Sequence, residues 1–363
     1  MNHNESFEIA YCNIDDNEDL SNLAIQIKET KTIQEKFTED SHINIMLLLK
    51  NKTTLIVVAH FGFLHKFSFS LKGVSYQGSL QPKNPEFPNQ MFDIQHIIEL
   101  SNGKLSACSQ CNDIFICNVF PFQIERTLTG HADTVYSLCE LNNAQHLVSC
   151  SQDSYLFIWN NYNVIKRIGG NITLIPSPIL HLDSTRNFVV NWRRRRLSES
   201  YLEFYDYAGE VIKRMEHIFT GTEGKIFEIK EKDHLVVAFN NELPTEKNKT
   251  CLIIVDYIHF KEVIRIPVDL DGDDYCFDLY YDSLLFLSGK GQLYQINMYK
   301  NYEIQTKISF SCSVGKFLYA IEDQQIIVVD NETIFENKVG KKLKRGGLTM
   351  HTFQNTLCLK EGV

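Results

Sequence analysis

Proline and glycine are scarce in this chain, 8 and 18 residues out of 363, which excludes a collagen-like repeat and long flexible linkers. Apolar runs are short as well. The longest, residues 45–49 and 55–59, fall far below a membrane-spanning helix. Positive charge is in deficit, 36 Lys and Arg against 45 Asp and Glu for a net charge of −9, a balance that argues against a surface given over to phosphate contacts. Residues 1–12 lack the basic and then apolar layout of a secretory signal, so a cytoplasmic protein, with the nucleus as an alternative intracellular compartment, is expected. Enzyme signatures are missing too: there is no G-x-S-x-G elbow, no H-E-x-x-H and no phosphate loop, and Gly289-Lys290-Gly291 lacks the third glycine of a dinucleotide loop. The expectation is a protein with no catalytic residues and no cofactor.

Apolar residues make up 44% of the chain and aromatics 12%, including 24 Phe and 16 Tyr, enough to build a large core. Ten cysteines are present, and Cys139, Cys150, Cys251, Cys276 and Cys358 sit inside apolar, strand-like segments. A thiol in that setting behaves as a small hydrophobe in a reducing compartment.

An internal repeat accounts for the length. Residues 105–118 (LSACSQCNDIFICN) placed over 147–160 (LVSCSQDSYLFIWN) agree at seven of fourteen positions without a gap. Four short strands in a unit of about 40 residues is the arithmetic of a β-propeller blade. The third run of each unit ends in a mark, alternating apolar residues, a bulky one and then a small polar one. It falls at Ser68, Asn118, Asn160, Asp206, Asp256, Asn297 and Asp330. Seven marks predict seven blades, with an eighth candidate ending at Lys28. Residues 7–12, 23–28, 348–353 and 356–360 are strand-like but have no blade of their own. Strands from both chain ends are therefore expected to close the ring, since an open ring exposes sheet surface. The fold class predicted is all-β, with one propeller domain over 42–363 and a segment 1–41 that contributes closing strands.

The stretch 130–160 (GHADTVYSLCELNNAQHLVSCSQDSYLFIWN) resembles the WD-repeat β-propeller family. The resemblance implies a buried tetrad of structural, non-catalytic residues: His131, Ser149, Asp153 and Trp159. It also implies a scaffold for protein–protein interactions within a larger intracellular complex, with other proteins as partners. The unit before it departs from the pattern, with Asn89-Gln90, Cys111 and Cys117 at the Gly-His, Asp and Trp positions; later units keep only Tyr205, Val255, Ile296 and Val329 at the bulky site. Apolar packing is thus expected to hold most blades.

Other constellations carry narrower expectations. Asp133 and Tyr136, a charge beside an aromatic near the inner loop of the best-defined unit, are candidates for partner binding. Trp192 with Arg193, Arg194, Arg195 and Arg196 is the densest positive run and the candidate anion site, since guanidinium forks bind phosphate and stack on aromatics. Through it, recognition of RNA or anionic lipid is the alternative function. Lys341, Lys342, Lys344 and Arg345 form a second basic cluster, and Ser198 after the arginines is a candidate phosphosite. Cys108 and Cys111, near Cys117 and His96, have the spacing of half a zinc site, but the repeat places them as a hairpin thiol pair. The acidic run 269–274 fails calcium-loop spacing, because its sixth residue is Asp274 where glycine is needed. No metal site is expected.

Overall fold

A computed structural model describes residues 23–33, 43–70, 73–83, 92–141, 146–194, 199–220, 225–239, 251–268, 275–280, 282–288, 292–309, 318–321, 326–336 and 342–357. Among the described residues the first strand is β1 (Leu23–Ile33), and six antiparallel sheets, each of four consecutive strands, follow it. Sheet one holds β2 (Ile43–Leu48), β3 (Thr54–Ala59), β4 (Leu64–Ser70) and β5 (Gly73–Leu80). Sheet two holds β6 (Ile94–Glu99), β7 (Leu105–Ser109), β8 (Ile114–Asn118) and β9 (Gln123–Leu128). Sheet three is β10 (Val135–Leu141), β11 (His146–Ser151), β12 (Tyr155–Asn160) and β13 (Asn163–Gly169). Sheet four is β14 (Leu174–Leu182), β15 (Asn187–Arg194), β16 (Glu199–Tyr205) and β17 (Val211–Thr220). Sheet five runs β18 (Ile226–Ile229), β19 (His234–Phe239), β20 (Cys251–Asp256) and β21 (Lys261–Pro267); sheet six runs β22 (Tyr275–Tyr280), β23 (Ser283–Ser288), β24 (Gln292–Asn297) and β25 (Glu303–Ser309).

This is an all-β propeller with six blades of consecutive strands, where the marks predict seven or eight. The first six marks lie at the third strand of each blade, four of them as its last residue. The other two fall elsewhere. Asp330 lies in β27 (Ile326–Glu336), which pairs with β26 (Leu318–Ile321) and β28 (Lys342–Leu357), and Lys28 lies in β1, which pairs with β28 rather than heading a blade. Residues 7–12 are outside the described residues.

Burial explains why the sequence reads as it does. The second strand of a blade has neighbours on both faces, so β3 and β23 are buried at every position and appear as continuous apolar runs. An outer strand has one wet face, and β13 alternates strictly between exposed and half-buried. The cores lie between blades: one cluster joins Ile56, Val58 and Leu64 to Ile97, Phe115 and Cys117, and another joins Val148, Ile158 and Leu156 to Phe188, Val190 and Tyr205.

Two devices recur from blade to blade. Between third and fourth strands every blade carries a bulge opposite the bulky site, with Gln77, Glu125, Ile165, Ile212, Val263 and Gln305 as the extra residues. At the end of the first strand, Glu99, Glu140 and Glu228 occupy one register position, paired with Leu105, Leu147 and Leu235. Each carboxylate accepts a backbone N–H of the preceding blade: Lys50 N at 2.6 Å, Ser101 N at 2.7 Å and Asp183 N at 3.1 Å. The matching positions in blades one and six hold Leu48 and Leu279, paired with Leu55 and Leu284.

Candidate functional site

The link from β9 to β10 delivers His131 against the third blade. Gly130 sits at φ +152°, a backbone conformation that side-chain-bearing residues rarely adopt, so glycine permits the turn that leads into His131. The His131 ring stacks on Phe157 with centroids 3.9 Å apart. His131 Nδ1 lies 2.8 Å from Asp153 Oδ2 and Nε2 lies 2.7 Å from Ser149 Oγ, which also accepts the Trp159 indole N–H at 2.8 Å. Those contacts fix a direction. The indole donates to Ser149, the Ser149 hydroxyl donates to Nε2, and Nδ1–H donates to the Asp153 carboxylate. Asp153 also accepts Ala132 N at 2.9 Å and Tyr155 N at 3.0 Å. Burial opposes ionisation of this carboxyl, but the bonds from His131, Ala132 and Tyr155 overcome it and hold its pKa below the ordinary value.

A serine, a histidine and an aspartate in line have the outline of a hydrolase triad. The chemistry does not follow. Ser149 is 0% exposed and its oxygen is enclosed between an imidazole and an indole, which leaves a substrate no approach. What the arrangement does is tie the inter-blade link to the second and third strands.

Asp133 and Tyr136 lie beside this network and are partly consumed by the fold. The Asp133 carboxylate accepts Thr134 N at 2.8 Å while its carbonyl accepts the Ser151 hydroxyl at 2.9 Å. Tyr136 is half-buried, packed on the core shared by blades three and four, and its hydroxyl donates to Gln152.

The basic run is divided by the structure. Trp192 is 3% exposed, so it offers no face for a ligand to stack on. Its indole N–H donates to Tyr205 Oη at 3.1 Å, the Tyr205 hydroxyl donates to Glu203, and Glu203 accepts Arg214 Nη2 at 2.7 Å and Nε at 2.9 Å. Burial first, then the Glu203 contact, drives the Tyr205 phenol pKa up. Arg193 and Arg194 complete β15, half-buried and exposed respectively; Arg195, Arg196 and Ser198 lie outside the described residues, as does Lys341. The sequence reading missed this Trp-Tyr-Glu-Arg chain. Its signal was present as Glu203, a charge set between Leu202 and Phe204 two residues before the bulky site.

Among the described residues no group of three or more His, Cys, Asp or Glu side chains is placed to share a metal ion. Cys108 is fully buried, and Cys111 in the turn lies 2.9 Å from Ser109 Oγ and 3.7 Å from Asp113 Oδ2. His96 Nδ1 is taken by the backbone N–H of Leu138 in the next blade at 3.1 Å, and burial lowers its pKa to about 4. The acidic run 269–274 is outside the described residues.

Comparison with known families matches residues 122–160 to the WD domain, G-beta repeat. That match spans the outer strand of blade two and three strands of blade three, so the sequence repeat straddles two structural blades. Among solved structures, the WD40 β-propeller domain of Doa1 superposes with a TM-score of 0.62 at 13% identity, covering 89% of this chain and 96% of that one. Comparison with curated proteins yields no match.

Proposed function

We propose that this WD-repeat β-propeller is a non-catalytic scaffold that holds other proteins within a larger intracellular complex, gripping them through the loops at the His131 end of the ring. One observation carries this reading: the best-organised polar constellation is sealed, with Ser149 at 0% exposure, so its bonds serve to position the loop that bears Asp133. A rigid frame presenting ordered loops is the property a binding scaffold needs. Seven described cysteines are free thiols, six of them buried, which fits a reducing compartment. No helix among the described residues is long and apolar enough to cross a membrane. We also propose that β1 with β26, β27 and β28 forms a seventh blade that closes the ring, with residues 1–41 supplying its end strand; the contact of β22 with β26 supports this. The phosphate-recognising alternative is the weaker reading, because Trp192, the aromatic expected to stand with the arginines in that patch, lies in the core.

Affinity purification with partner identification tests the scaffold reading, comparing the native chain with Asp133→Lys and Tyr136→Phe variants whose melting temperatures are checked first. Loss of specific partners from variants that melt normally is expected. An unchanged partner set in both would overturn the assignment of this end.

A further inference from the structure

Blade one breaks a packing rule that the other blades keep. The third-strand residue just before the bulge is Ile116, Ile158, Phe204 and Ile254 in blades two to five, each buried in the core. Blade six holds Gln295 there, and its amide donates to Ser283 Oγ at 3.0 Å. Blade one holds Lys66, which is 7% exposed. It lies on the strand face of Leu64, a member of the core shared with blade two, so the lysine stem fills an isoleucine place in that seam. Packing does not call for a charge there, since isoleucine serves in three other blades. The ammonium ends at the turn between β8 and β9 of blade two. Nζ donates to Val119 O at 3.2 Å and lies 4.1 Å from the Phe120 ring centroid and 5.4 Å from that of Phe122. Among the described residues no carboxylate pairs with it. An ammonium has three donors and a full positive charge, and one carbonyl with two ring faces leaves that charge without a counter-ion. That is a costly state for a lysine so enclosed.

Phe120, the ring against the ammonium, is 74% exposed, so most of its surface is open to a partner. We infer that Lys66 and Phe120 form a binding site for a protein segment that presents a carboxylate beside an aromatic side chain, the carboxylate meeting the ammonium and the aromatic lying on Phe120. Charge complementarity selects this occupant, because the cation has no counter-charge of its own among the described residues. A single ammonium balances a single carboxylate. The arginine of β9, Arg126, lies over Tyr162 of blade three, so it does not join Lys66 to serve the two charges of a phosphate. The β8–β9 turn is at the end of the ring opposite His131, since successive antiparallel strands turn at alternate ends. The inference therefore rests on the scaffold reading but uses a different surface from the loop that bears Asp133.

The test uses the full chain and a synthetic peptide of about 12 residues with Phe-Glu steps spaced by Gly-Ser. Its comparators are the same peptide with glutamine for glutamate and with alanine for phenylalanine. The Phe-Glu peptide is expected to bind more tightly than either, and to lose about tenfold in affinity on Lys66→Met and on Phe120→Ala. Lys66→Met is also expected to melt no lower than the native chain, because it exchanges an uncompensated buried charge for an apolar side chain of similar length. Lys104→Met, which removes a charge at the same end of the ring that is already paired with Glu125 at 2.7 Å, is expected to leave binding unchanged. Equal binding of the glutamine peptide, undiminished binding by Lys66→Met, or an equal loss on Lys104→Met would each overturn the proposal. So would a lowered melting temperature of Lys66→Met, which would make the lysine a structural element, or displacement of the peptide by inorganic phosphate where acetate has no effect. Asp133→Lys leaves this turn intact, so peptide binding that persists in that variant separates the failure of one surface from the failure of the other.

Discussion

Blades two and three are alike in sequence and unlike in how their inner links are fastened. Their second and third strands share seven of fourteen residues, yet blade three carries the polar chain from Trp159 to Asp153, while blade two has Ala107 facing Phe115 and Cys117 at the Trp position. Where His131 stacks on Phe157, blade two has Phe92 on Phe115 with centroids 5.7 Å apart and planes within 9°. One blade closes its link by a directed side-chain network, the other by an aromatic contact and a backbone bond from Gln110 N to Asp93 O at 3.1 Å. A sheet buried between neighbours is therefore sufficient to make a blade. The tetrad adds a fixed loop rather than the fold, and it occurs beside the loop proposed to bind.

The sharpest way to break the comparison is to truncate the bulky site in each blade. Trp159 is 3% exposed and Cys117 0%. Trp159→Ala removes a large buried ring and the donor to Ser149, and a loss of about 3–5 kcal/mol is expected. Cys117→Ala removes one sulfur from an apolar setting, for about 1 kcal/mol. Urea unfolding of both variants measures the difference. Equal losses would mean that the polar chain adds nothing to packing.

How much of this was legible follows from which interactions are local. The repeat, the positions of the third strands and the tetrad residues could be read because each depends on a short motif within one unit. Blade number could not, since the last marks fall in a sheet that joins residues more than 300 positions apart, Leu23 with Leu357. Trp192 was misjudged because the arginines beside it suggested an accessible anion site, whereas the pairing of Trp192 with Pro176 and Tyr201 places it inside the sheet. The inter-blade carboxylates were visible as the matched pair Glu99-Leu100 and Glu140-Leu141, but their partner is a backbone N–H, which no side-chain pattern reveals.

Acid offers a second, intermediate probe. The Asp153 pKa is depressed in the folded chain, so its contribution is complete above the ordinary carboxylate value of 3.8 and is lost as pH falls toward the folded value. Asp153→Asn is expected to cost about 2 kcal/mol near neutral pH, with the gap to the native chain narrowing below that value. Melting temperatures of the two proteins taken across acidic pH report it, and a constant gap would show that the carboxylate charge is irrelevant. Cys111, which holds this position in blade two, predicts no such acid dependence for Cys111→Ser.

The smallest expected effect concerns the seam that the two blades share. Glu140 of blade three takes Ser101 N and Ser101 Oγ of blade two, at 2.7 and 2.9 Å, so it joins the blades irrespective of how each is fastened inside. Glu140→Ala is expected to cost about 1 kcal/mol and to raise the exchange rate of the Ser101 amide several-fold, while Glu140→Gln, which keeps an acceptor oxygen, recovers most of the protection. Where Leu279 fills the same position in blade six, the neighbouring turn has no carboxylate from that site to lose. If Ser101 exchange is unmoved by Glu140→Ala, the carboxylate is a surface ornament and the blades are joined by apolar packing alone.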